Sequence, residues 1–195
     1  METTRLVSFS DAVLAIILTI MVLELKVPEG VTLDALAPVV PVFLSYVLSF
    51  AYVGIYLGNH HYLLQFCPRV TGSVLWANLH LLFWLSLLPF VTGWMGENHF
   101  AALPTMVYGA VLVAAALAYL LLQHAIIVAQ RPDTTLKSAV GADWKGKVSL
   151  ALYVVGIAGT FYRAWIGQLL FAMGAVWWVV PDRRLERSLE RHRGG

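Results

Sequence analysis

The sequence predicts an all-α membrane protein with six transmembrane helices per chain, on three observations. Hydrophobic residues make up 59% of the 195 residues and charged residues only 12%, against about a quarter charged in an average soluble domain. Mean hydropathy is +0.75. The apolar residues gather in runs of about 20 or more, the length that crosses roughly 30 Å of hydrocarbon at about 1.5 Å per helical residue.

Taken in order, the spans are predicted at about 6–25, 37–66, 73–96, 101–129, 147–162 and 164–181. Each boundary is a place where backbone meets water, as the hydrocarbon interior does not allow. Val27-Pro28-Glu29-Gly30 follows the first span, Pro68-Arg69 the second and Glu97-Asn98-His99 the third, with a polar stretch from Gln130 to Lys147 after the fourth. Only Arg163 divides the last two spans. One straight helix from 148 to 181 would be about 50 Å long, so a hairpin turning at Arg163 is expected. The first span reads as a retained helix, because Asp11 interrupts its start and no small-x-small cleavage site precedes Lys26.

Charge gives an independent check. With the N-terminus in the cytoplasm and six spans, eleven of the thirteen basic residues lie inside, leaving Lys26 and Arg163 outside. Both termini are then cytoplasmic in a multi-pass cell (plasma) membrane protein, as the positive-inside rule requires, whereas five spans would put the arginine-rich tail on the wrong side. Residues 1–182 are expected to form one six-helix transmembrane domain and 183–195 a basic cytoplasmic tail. That tail holds Arg183, Arg184, Arg187, Arg191 and Arg193. It reads as a segment for anionic lipid headgroups, not as a nucleic-acid patch. Glu186 and Glu190 suit a short surface helix.

Several functions are excluded. Cys67 is the single cysteine, so neither an intrachain disulfide nor a cysteine metal cluster can form. There is no G-x-S-x-G, H-E-x-x-H or P-loop, and no acid pair, so no enzyme, cofactor or small-molecule substrate is expected. Pro89 and the glycines at 156, 159, 167 and 174 read as helix-packing features. Trp94, Trp144, Trp177 and Trp178 read as an aromatic belt among the membrane lipids.

Polar groups inside a membrane are costly and so are functional candidates. Asp11 lies about 9 Å beyond Arg5 along the first helix. His60 and His61 on the second helix, with Asn78 and His80 on the third, approach the same depth. A network is expected in which the Asp11 carboxylate accepts hydrogen bonds from a histidine and from the Asn78 amide, with Ser10 nearby. Holding three helices in register is its first reading; a proton relay is its second. On a helical projection with Ile16 at zero, Thr19 falls at about 300°, Ile20 at about 40° and Leu23 at about 340°, with Asp11 near 220° and Ser10 near 120°. One face is thus an aliphatic stripe carrying a threonine and the other carries the acid. By periodicity alone the stripe faces lipid.

The segment from Arg5 to Leu25, opening Arg5-x-x-x-Phe9-Ser10-Asp11 and continuing through Thr19 to Val22-Leu23-Glu24-Leu25, closely resembles the first-helix signature of the transmembrane protein 175 family. The likeness extends to Ser49-Phe50, Asn59-His60-His61, Trp76-x-Asn78 and Leu87-Leu88-Pro89-Phe90. Leu57 departs from it, since family members often carry tryptophan there. The resemblance implies a homotetrameric, potassium-permeable channel with its pore lined by the first helix of each subunit. It implies that Ile16, Ile20 and Leu23 form the constricting rings, that Thr19 is a polar contact beside the pathway, and that Arg5, Phe9, Ser10 and Asp11 hold the helix in place. Permeant potassium is then the only ion implied. No Thr-Val-Gly-Tyr-Gly loop is present, so the expected device is a hydrophobic gate closing by dewetting. Glu24, at about 80° on the same projection, either raises cation concentration at the mouth or pairs with Lys26. The alternative function is a proton-coupled transporter or proton pathway using Asp11 and His60/His61.

Overall fold

The computed structural model describes residues 2–130, 136–137 and 143–179, and all regular structure among them is helical. Helix α1 (Thr3–Met21) tightens into a 3-10 turn at Val22–Glu24. A second 3-10 stretch, Leu33–Val39, leads into α2 (Val40–Gln65). Pro38 and Pro41 sit at that junction, where an α-helical start with its amide donors still unpaired accepts a residue without an N–H. The next span is two helices, α3 (Gly72–Ser86) and α4 (Leu88–Glu97). Thr71 caps α3, its side chain accepting from the Val74 amide at 3.3 Å.

Helix α5 (Ala102–Ala129) crosses in one piece, and α6 (Trp144–Tyr162) and α7 (Ala164–Val179) follow. The expected hairpin is present: Arg163 is extended at φ −151° and ψ 127°, which ends α6. Its start lies three residues before the predicted boundary because Asp143 caps the helix through the Gly146 amide.

Pro89 does more than the packing expected of it. It has no N–H for the Leu85 carbonyl and its ring crowds that turn, so α3 stops at Ser86 and α4 restarts with Pro89 in its first turn. Among the described residues four stretches are long and apolar enough to span a bilayer: Thr3–Glu24, Leu33–Gln65, Gly72–Glu97 and Ala102–Ala129. The last two helices are shorter.

Successive spans run in alternate directions, and hydrogen bonds mark the two ends of the bundle. At one end Thr3 Oγ1 donates to the Cys67 carbonyl and Gln130 Nε2 to that of Phe66; at the other, Lys26 meets Glu97 and Gln168 Nε2 donates to the Phe100 carbonyl. We call these the Arg5 end and the Glu24 end. Helix α5 is central, packed on α3, α4, α6 and α7, whereas α1 lies at one flank on α2, α3 and α4. The core between α2, α5 and the final hairpin is aromatic. Tyr52, Tyr108 and Phe171 are fully buried there, and the Tyr52 hydroxyl donates to the Phe171 carbonyl at 2.6 Å. The basic tail, 183–195, lies outside the described residues.

Candidate functional site

Helix α1 buries Leu6, Ser10, Leu14, Ile17 and Met21, which recur every three or four residues and form one face. The opposite face is left largely exposed by its own chain. Ile16 is 55% exposed, Ile20 43% and Leu23 77%, and Thr19 is exposed beside them. The Thr19 hydroxyl donates to the Ile16 carbonyl at 2.9 Å, so what it offers outward is the oxygen lone pairs.

Behind α1 a buried polar chain joins three helices. Asn78 Nδ2 of α3 donates to Ser10 Oγ at 3.0 Å, and Ser10 Oγ donates to the Leu6 carbonyl at 2.9 Å. Asn78 Oδ1 lies 2.6 Å from His60 Nε2 of α2, which is the donor in that tautomer. All three side chains are fully buried.

Asp11 is not in this chain, contrary to the sequence expectation that it accepts from Asn78. Its Oδ2 lies 3.6 Å from His61 Nδ1, with both side chains more than a third exposed, and its Oδ1 is buried without a hydrogen-bond partner. The reason is azimuth. Ser10 points at about 120°, into the cleft between α2 and α3, while Asp11, one residue on, is swung about 100° toward the flank of α2. His80, expected at the same depth, turns outward and accepts from Trp84 Nε1 at 3.3 Å.

Arg5 is exposed and Phe9 half-exposed within this subunit. Their spacing carries that signal, since they project at about 340° and about 20°, in line with Ile16 and Leu23. Ser10 is the buried one of these residues, hydrogen-bonded to Asn78 of α3.

Beside the stripe runs a groove that sequence reasoning did not foresee. Val13, Ile16, Ile17 and Ile20 form one wall and Ser86, Pro89 and Phe90, at the break between α3 and α4, the other. Glu24 closes its end. Lys26 does not pair with Glu24. It is bound to Glu97 at 2.6 Å, and that contact raises the Lys26 ammonium above its ordinary pKa. Among the described residues no group of three His, Cys, Asp or Glu side chains is placed to hold a metal ion.

Three comparisons bear on this arrangement. A family model described as the endosomal/lysosomal potassium channel TMEM175 matches residues 5–89. A potassium channel of Chryseobacterium sp. (strain P1-3) is 49% identical over 192 residues, covering 98% of this chain and 100% of that relative. A potassium channel of Streptomyces collinus is 35% identical over 129 residues, covering 60% of this chain and 61% of that one. Among solved structures, a lysosomal potassium-selective channel TMEM175 homolog from Chamaesiphon minutus superposes with a TM-score of 0.75 at 27% identity, covering 92% of this chain and 97% of that one.

Proposed function

This chain belongs to the TMEM175 potassium channel family, and on that premise we propose that four copies assemble around a central, potassium-permeable pore lined by α1. The observation that carries the reading is the unpacked face of α1: Ile16, Thr19, Ile20 and Leu23 are turned away from their own subunit while Ser10 is fastened to Asn78 behind them. A helix fixed on one side and bare on the other is shaped to line a shared axis.

In that assembly Ile16, Ile20 and Leu23 form successive aliphatic rings. Rings of this kind close by steric contact and by expelling water, which leaves no medium to carry an ion. Thr19, with its proton already given to the Ile16 carbonyl, presents an acceptor oxygen suited to a cation. Arg5 and Phe9, on the same exposed line, meet neighbouring copies. The Arg5 end faces the cytoplasm of a cell membrane, with residues 1–182 forming the channel domain and the basic tail lying at the inner headgroups.

Purified protein in liposomes with a potassium gradient is expected to pass potassium. Replacing Leu23 by Asn hydrates the outermost ring and is expected to raise that flux. Correctly assembled protein that passes no potassium would refute the reading.

One observation favours a second reading, a proton-coupled transporter or proton path through Asp11, His60 and His61. Asp11 Oδ1 and His60 Nδ1 are both buried without a hydrogen-bond partner, and Asp11 Oδ2 lies 3.6 Å from His61 Nδ1. That reading predicts a saturable, proton-coupled flux lost in Asp11→Asn; the channel reading predicts a potassium flux that survives it.

A further inference from the structure

Between α2, α5, α6 and α7, and lined by no residue of α1, lies a partly enclosed cavity of about 490 Å³, its mouth included. Five aromatic side chains line it: Tyr52, Tyr56, Tyr119, Tyr153 and Trp178. Four of them stand in edge-to-face pairs, Tyr52 with Tyr153 at 5.8 Å between ring centroids and Tyr56 with Tyr119 at 6.2 Å. Toward the Arg5 end the lining turns polar, with Asn59 of α2 and Asp143, the residue that caps α6. We propose that this cavity is a binding site for a primary organic ammonium ion, either a free amine or the ethanolamine headgroup of a phospholipid, with its nitrogen at Asp143 and its carbon stem among the tyrosines. The site stands independently of the pore reading.

The hydrogen-bond inventory of the lining selects the ligand class. Most of its donors are spent inside the protein. The Tyr52 hydroxyl donates to the Phe171 carbonyl, Trp178 Nε1 to Ser149 Oγ, Asn59 Nδ2 to the Ile55 carbonyl and the Tyr119 hydroxyl to the Asn59 carbonyl. The Tyr153 hydroxyl lies against those of Tyr52 and Ser149. What remains is chiefly acceptors. Asp143 Oδ1 accepts from the Gly146 amide at 3.3 Å, but its Oδ2 is buried without a hydrogen-bond partner. Among the described residues nothing donates to Asn59 Oδ1, and the hydroxyl of Tyr56, a residue only 9% exposed, makes no hydrogen bond. A ligand for these groups must bring donors of its own. Beside a carboxylate and several aromatic rings a positive donor is bound better than a neutral one, and an anion is repelled. One of these rings already carries an ammonium: Lys145 Nζ, which does not itself line the cavity, lies 5.7 Å from the Trp178 ring centroid. A buried carboxylate oxygen without a donor is costly, and an ammonium N–H offsets that cost.

The test measures binding of n-butylammonium to the delipidated full chain in phosphatidylglycerol nanodiscs by ligand-observed NMR, with 1-butanol as the neutral probe of the same shape. Saturable binding of the amine is expected, about tenfold or more weaker for 1-butanol and in Asp143→Asn, since a charge-assisted hydrogen bond is lost in each. Asparagine also caps helices, so Asp143→Asn keeps the start of α6. Tyr56→Phe keeps the ring and is expected to weaken binding about threefold or more. Ala116→Phe fills the cavity from α5 without altering a polar group and is expected to abolish binding. Adding phosphatidylethanolamine to the nanodiscs separates the two sources: amine binding lost there assigns the site to the lipid headgroup, and binding retained assigns it to a free amine. Equal affinity for 1-butanol, equal affinity in Asp143→Asn, or binding that survives Ala116→Phe overturns the proposal. Should Asp143→Asn fail to fold, 1-butanol and Tyr56→Phe decide it, and no loss with either overturns it.

Discussion

Replacing Asn78 by Leu keeps the volume of the side chain and removes both of its hydrogen bonds. Ser10 loses little, because its hydroxyl still donates to the Leu6 carbonyl at 2.9 Å. His60 loses everything: its Nδ1 already lacks a partner, and without Asn78 Oδ1 its Nε2 lacks one too. Hydrogen bonds between membrane helices are worth about 0.6 kcal/mol each on average, so the two lost bonds account for only about 1 kcal/mol. A buried polar group left without any partner costs about 1–3 kcal/mol more, and this second effect dominates. The expected loss is therefore about 2–4 kcal/mol, a shift of between one and three powers of ten in the unfolding equilibrium.

The asymmetry supplies the control. Removing both polar partners with His60→Leu and Asn78→Leu strands nothing, so the double variant is expected to recover about 1 kcal/mol or more relative to Asn78→Leu alone. Reversible unfolding in mixed micelles, with the denaturing detergent titrated and tryptophan fluorescence followed, measures all three variants. The reasoning is refuted if Asn78→Leu lies within about 0.5 kcal/mol of wild type, or if the double variant costs the sum of the singles. Asn78→Leu also removes a hydrogen bond that joins α1 to α3, and is expected to alter potassium flux.

Three further outcomes are expected. In Gly167→Ala the new methyl group would overlap Thr160 Oγ1 and lie 2.9 Å from the Gly156 carbonyl oxygen, so the α6–α7 hairpin must part; the cost is about 1–3 kcal/mol in the same titration. Asp11→Asn keeps the shape and the neighbour His61 while removing a charge that is partly solvated, so its stability is expected to stay within about 1 kcal/mol of wild type; potassium flux measured beside it separates the channel from the proton-coupled reading. For orientation, a cysteine placed at Val31, fully exposed beyond the Glu24 end, in a Cys67→Ala chain is expected to react with an impermeant maleimide on intact cells. One placed at Trp144 is expected to react only after permeabilisation, and the reverse pattern would invert the assigned topology.

Much of the fold was legible because bilayer crossing is a local property. Length and apolarity of a run suffice to predict a span, and every predicted span has a helix at its place. Even the hairpin at Arg163 followed from length alone. The break between α3 and α4 shows where run-counting stops: hydropathy continues unbroken through Ser86 to Pro89, and the missing amide of one proline divides the helix. For the site, helical projection correctly separated the Ile16, Thr19, Ile20 and Leu23 side of α1 from the Ser10 side. It could not pair the polar residues, because depth along a helix places groups at one level without saying which of them touch.

The sequence by itself determined the all-helical membrane architecture and the two unlike faces of α1, and its resemblance pointed to the family that the relatives show. The partners were decided only by tertiary structure. Asn78 reaches Ser10 and not Asp11, and Lys26 reaches Glu97 and not Glu24. The physical reason is range. A helix and its faces follow from residues three or four apart, whereas Ser10 and Asn78, or Lys26 and Glu97, are neighbours only after separate helices have packed.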